Sequence, residues 1–134
     1  MTRTPAFVAP SLAVAALVAA PAAMARPGAL NVANVTVTAG KPAEFHFIVA
    51  PSAVKRGVIV FKITNKGALP HDFKLCSKRN QPLANTCTGR GTKQINPGQS
   101  TTLRVSILLK GAYEYLCTVP GHAAGGMKGF LKVA

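Results

Sequence analysis

The chain has 134 residues, 49% of them hydrophobic, and carries 16 Lys and Arg against 3 Asp and Glu, a formal charge of +13. That length suits one compact domain and excludes two of ordinary size. The cations are spread along the chain without a basic helix or an aromatic-interleaved motif, which argues against nucleic acid and leaves an anionic surface, an acidic protein partner or simple solubility.

Residues 1–25 begin with one cation, Arg3, continue as an Ala/Val/Leu run and end in Ala-Ala-Met24-Ala25 before Arg26. This layout predicts a cleaved secretory signal peptide. Pro10 and Pro21 interrupt the run, so a permanent membrane anchor is the weaker alternative and no stable membrane insertion of the mature chain is expected. The predicted mature domain, 26–134, is soluble and lies outside the cytoplasm, in a periplasm or beyond the cell. Loss of Arg3 leaves 15 Lys and Arg against Glu44, Asp72 and Glu114, a formal charge of +12.

Downstream, runs of β-branched and aromatic residues read as strands. In order they are Asn31 to Thr38, Ala43 to Val49, Val58 to Thr64, His71 to Leu75, Ser100 to Leu108, Gly111 to Cys117 and Lys128 to Val133. Turn signals at Gly40-Lys-Pro42, Lys55-Arg-Gly57, Lys66-Gly67 and Pro97-Gly98 separate them. Seven or eight such strands, with no helical period after the leader, predict an all-β Greek-key sandwich. His46 alternates with Phe45 and Phe47 and is expected on the outer surface. Tyr113 and Tyr115 read as packing residues. The stretch from Cys76 to Gln94 is a long polar insertion with little to order it.

The tail carries the chemistry. Cys117, His122 and Met127 follow one another at five-residue intervals in Cys117-Thr-Val-Pro-Gly-His122-Ala-Ala-Gly-Gly-Met127. A thiolate, an imidazole and a thioether in one loop, with Gly121, Gly125 and Gly126 giving it backbone freedom, suit copper once a second imidazole joins them. His71, in Asn65-Lys-Gly-Ala-Leu-Pro-His71-Asp72, supplies it from the turn after a strand. Zinc fits less well, since Met is a poor fourth ligand for it. A nucleophilic Cys117 lacks an orienting group for a His base. With three Cys in an exported chain, committing Cys117 to metal leaves Cys76 and Cys87 to form a disulfide; the alternative is that both stay reduced.

The isolated His after an Asn-Gly-Pro turn, then Pro97-Gly-Gln-Ser-Thr101, Gly111-Ala-Tyr-Glu-Tyr-Leu-Cys117, Pro120-Gly-His122 and Gly126-Met-Lys-Gly129 resemble the cupredoxins, or small blue copper proteins, of the plastocyanin, azurin and rusticyanin kind. The resemblance spans nearly everything after residue 30. It implies a single type 1 copper ion on His71, Cys117, His122 and Met127, and a place for Asp72 in tying the two ligand loops together. Pro120 offers the Cys117 sulfur no N–H donor, and fewer donors mean a higher potential.

The implied function is one-electron transfer by a monomer between redox protein partners, without enzymatic activity. Ala123, Ala124, Gly125, Gly126, Leu69 and Pro70 are expected to form an apolar docking patch around His122, and the Lys and Arg residues to steer an acidic partner. A copper chaperone or buffer is the alternative. A multicopper enzyme would need more His than the three present.

Overall fold

Alternation of apolar and polar side chains explains most of the strands in the computed structural model, which describes residue 28 and residues 30–134. The leader and its cleavage point lie outside the described residues. In chain order the strands are β1 (Val32–Ala39), β2 (Phe47–Ala50), β3 (Ala53–Val54), β4 (Gly57–Asn65), β5 (Lys74–Arg79), β6 (Gly89–Gly91), β7 (Ser100–Ile107), β8 (Gly111–Leu116) and β9 (Lys128–Val133). They form two sheets, in the orders β2-β1-β4-β7 and β3-β9-β8-β5-β6. Pairing is antiparallel except between β1 and β4 and between β3 and β9. Among the described residues there is no helix long and apolar enough to cross a membrane.

The inner face of the first sheet is set by register. Val35 pairs with Phe61 and Val37 with Ile63, and on the other side of β4 Phe61 pairs with Leu103. Because side chains alternate across a strand, those residues all face one way. They meet Leu75, Tyr113, Tyr115, Leu131 and Val133 of the second sheet and Phe73 between the sheets. Phe73 joins the layers: its ring lies 5.1 Å from Phe61, and 5.5 Å from Tyr115 in a stacked arrangement. Tyr113 and Tyr115 are thus packing residues, as the sequence suggests.

Three local differences from the sequence reading matter. β2 starts only at Phe47, because residues 43–46 form a turn closed by the His46 N–H on the Ala43 carbonyl at 3.2 Å. His46 is exposed, but from that turn and not from a strand. His71 also precedes its strand: it makes a single bridge to Ile95, and β5 begins at Lys74. The polar insertion, finally, is ordered. Cys76 and Cys87 are disulfide-bonded, Glu114 accepts the Ala84 N–H at 2.7 Å, Lys128 donates to Asn85 at 2.8 Å, and β6 pairs with β5.

Closing an 11-residue separation restricts the unfolded chain by up to about 3 kcal/mol in the loop-entropy view. Non-reduced mass spectrometry of protein made under oxidising conditions is expected to show one intramolecular disulfide and one alkylatable thiol after unfolding. A native bond from Cys117 to either other Cys would overturn both assignments.

Candidate metal centre

One end of the sandwich collects the chemistry-bearing residues. β8 stops at Leu116 and β9 starts at Lys128, so residues 117–127 must cross the end of the second sheet. This crossing is closed on itself: Cys117 N–H donates to Met127 O at 3.0 Å, Met127 N–H to His122 O at 3.0 Å, and His122 N–H to Val119 O at 3.0 Å. Gly121 and Gly126 take positive φ of 84° and 110°, a region that favours glycine. His71 comes from the β4–β5 connection, where its N–H and C=O pair with Ile95 at 3.2 and 2.7 Å.

The sequence-predicted donors meet there. Nδ1 of His71 lies 3.1 Å from Nδ1 of His122, and Cys117 Sγ lies 3.6 Å from the same His122 nitrogen. The donor atoms of all three residues fall within 4.8 Å of one another. His71 and Cys117 are fully buried and His122 is 7% exposed. Met127, also fully buried, packs in one cluster with Cys117 and Ala39, flanked by Phe45, Phe47 and Val119. The His122 ring rests against Phe45 at 4.7 Å and His71 at 5.0 Å.

This arrangement fits a copper ion. Atoms bound to one first-row metal at roughly 2.0–2.3 Å must themselves sit about 3–4 Å apart, as His122 Nδ1 does from both the His71 nitrogen and the Cys117 sulfur. The set is soft and intermediate, with no carboxylate among the three, which selects copper over the harder ions. Burial, with the neighbouring His71 adding to it, lowers the His122 pKa and disfavours the doubly protonated ring, which could not bind a metal. Burial also pushes the Cys117 thiol up to about 11, against the partly offsetting N–H groups of Asp72 and Val119. A thiol so reluctant to ionise needs a cation beside it to become a thiolate.

Each of the three acidic residues of the chain holds a connecting segment in place. Asp72 accepts the Thr118 N–H at 2.5 Å and also the Thr118 hydroxyl. It therefore ties the His71 segment to the Cys117 loop, while its own N–H points at Cys117 Sγ from 3.5 Å. Glu114 holds the insertion, whose Cys76 packs with Leu116 and Ala123 next to the donors. Glu44 reaches His71 itself: its Oε1 lies 2.8 Å from His71 Nε2. The Ala68 amide, then that of Leu69, hold the Glu44 carboxyl down to about 2 against an opposing desolvation, and His71 adds a lesser lowering.

Sequence reasoning missed Glu44 and Asn65. Asn65 Nδ2 donates to the carbonyls of Leu69 and Ile95, both at 2.8 Å, and fixes the segment before His71. Scarcity of acids was the one signal for Glu44. The expected surface patch also needs a correction: Leu69, Pro70, Ala124, Gly125 and Gly126 are exposed, but Ala123 is turned inward onto Cys76 and Leu116, because the ordered insertion covers it.

A two-sheet sandwich that gathers two imidazole nitrogens and a thiol at one end, with a buried thioether packed beside the thiol, defines the cupredoxin class. The comparisons with known proteins agree. The family model for copper binding proteins of the plastocyanin/azurin family matches residues 33–134, and the chain belongs to that family. Among solved structures, the chain is similar to auracyanin B, at 22% identity over 81% of this chain and 93% of that one, with a TM-score of 0.61. It is also similar to rusticyanin from Thiobacillus ferrooxidans, at 24% identity over 77% of each chain, with a TM-score of 0.60. A third is auracyanin A, a "blue" copper protein from Chloroflexus aurantiacus, at 19% identity over 78% of this chain and 100% of that one, with a TM-score of 0.58. At these identities the likenesses show the fold alone. No curated protein sequence matches the chain.

Proposed function

We propose that the chain is an exported one-electron carrier whose copper ion is held by Nδ1 of His71, Sγ of Cys117, Nδ1 of His122 and, as a weaker fourth donor, the Met127 thioether. The convergence of the first three on one buried space supports this reading. The ion supplies a Cu(II)/Cu(I) couple. The protein supplies a site that resists rearrangement: the Asp72–Thr118 tie joins the two donor segments, Asn65 fixes the segment before His71, and the self-bonded loop holds His122 and Met127. Donors held in this way change geometry little between oxidation states, which keeps the cost of electron transfer low.

His122 is the donor nearest solvent, and the exposed Leu69, Pro70, Ala124, Gly125 and Gly126 offer a partner a small apolar approach to it. Small, weak interfaces suit transient electron transfer. Lys and Arg are spread along the rest of the chain and outnumber the acids by far, which favours an acidic redox partner. Transfer to such a partner is expected to slow as salt rises, because steering is screened beyond roughly 8–10 Å; stopped-flow rates that ignore ionic strength would reduce the charge to a solubility device. Export is supported by the layout of residues 1–25 and by the Cys76–Cys87 bond, since disulfides persist in oxidising compartments.

Burial separates this reading from the chaperone or buffer alternative, which needs donors open to exchange; His71, Cys117 and Met127 are fully covered. No catalytic role is assigned, as His46 is the only imidazole left for any second copper centre. The visible spectrum and voltammetry of copper-loaded protein test the proposal. An intense blue band with a reversible potential is expected, whereas colourless, rapidly exchanging copper would favour the chaperone. Met127→Leu should keep the colour and raise the potential, because losing a weak donor destabilises oxidised copper more than reduced copper. An unchanged potential would remove Met127 from the donor set.

A further inference from the structure

Glu44 is one of only three acids in a strongly basic chain, and the β1–β2 turn places it against the His71 segment 27 residues away. Its carboxylate accepts the Ala68 N–H at 3.0 Å through Oε2 and the Leu69 N–H at 2.9 Å through Oε1, which leaves Oε1 also facing His71 Nε2 at 2.8 Å. The space for this approach exists because residue 67 is glycine. A Cβ there would stand 2.5 Å from Glu44 Oε1 and 2.9 Å from His71 Nε2. Gly67 has no positive φ to require glycine, so clearance is what its missing side chain provides.

An ionised carboxylate accepts and cannot donate. It therefore takes the ring proton onto His71 Nε2 and leaves Nδ1, the atom facing His122 and Cys117, with a free lone pair. We propose that Glu44 is the positioning residue of the metal centre: it fixes His71 in the tautomer that presents Nδ1, and its negative charge, one imidazole from the ion, favours oxidised over reduced copper. This inference rests on the donor set proposed above. Carboxylate–histidine pairs of this kind raise the basicity of a ligating imidazole.

Two readouts separate positioning from mere bracing of the loop. In metal-free protein, nitrogen-15 NMR of the imidazole rings should find His71 protonated at Nε2. Glu44→Ala and Gly67→Ala, which remove or displace the acceptor, should each convert this to a mixture of tautomers. Glu44→Gln keeps an oxygen acceptor but not the charge. It should preserve the blue band while lowering the ratio of Cu(II) to Cu(I) affinity at least about tenfold, which for a one-electron couple is a rise in potential of about 59 mV. Restoring the carboxylate one methylene shorter, in Glu44→Asp, should recover part of that loss. A native potential in Glu44→Gln, or a persistent Nε2 proton in Glu44→Ala, would overturn the role of Glu44. The tautomer measurement needs no copper, so it judges Glu44 even if wild-type protein proves colourless, a result that would instead sink the donor set.

Discussion

Replacing Cys117 by Ser is expected to abolish the intense sulfur-to-copper charge-transfer absorption of the loaded protein while leaving the sandwich folded. The side chain is fully buried, lies 3.6 Å from His122 Nδ1 and packs in the same cluster as Met127, whose neutral thioether cannot replace a thiolate. A serine hydroxyl is harder and far less acidic than a thiol and cannot substitute as a soft anionic donor. The fold should survive because the backbone bond from residue 117 to Met127 O and the inter-sheet core do not use the sulfur. His71→Ala, made in parallel, should weaken copper binding by more than about 100-fold, exceeding what loss of an outer partner costs. Cys76→Ser with Cys87→Ser is the control and should keep its colour. A retained band in Cys117→Ser would refute the blue-copper assignment.

Copper loading is expected to depend steeply on pH, in the direction set by Cys117. Burial pushes this thiol up to about 11, so the metal-free protein keeps its proton through the neutral range. Binding needs the thiolate and must release that proton. Below about 11, each unit of falling pH therefore costs about a factor of ten in apparent affinity. His122 adds nothing to this at neutral pH, since its pKa is lowered and the ring is already neutral. Competition with a chelator of known affinity at pH 7 and pH 9 should differ by about 100-fold after correction for the chelator's own protons. Loading in weak buffer should release one proton per copper. A pH-independent affinity would mean that the thiol is ionised before metal arrives.

Much of the molecule was legible from residue order because its causes are local. Period-two alternation fixes which side of a strand faces inward, and β1, β4, β7, β8 and β9 follow it to within a residue or two of the expected limits. The five-residue steps from Cys117 to His122 and from His122 to Met127 could be read as one loop over the end of a sandwich, since glycine-bearing turns flank them and strands lie on either side. The pairing of Cys76 with Cys87 was accessible from the odd number of thiols once Cys117 was set apart.

What chain order could not supply depends on groups brought close from far away. Glu44 reads as a strand residue until the turn at 43–46 swings it onto His71, 27 positions on. The Asp72 tie to Thr118 spans 46 residues, and only the resemblance, not spacing, had suggested it. Ala123 looks like a surface residue beside Gly125 and Gly126, and it becomes buried only because the polar insertion, pinned by the disulfide, Glu114 and Lys128, lies across it. The sequence alone therefore determined the sandwich and the donor types, both consequences of short-range pattern. The tertiary structure decided which carboxylate meets which imidazole and which face of the copper loop remains open, because a side chain's hydrogen-bond partner and its exposure are set by the packing of distant segments and leave no periodic trace in the chain.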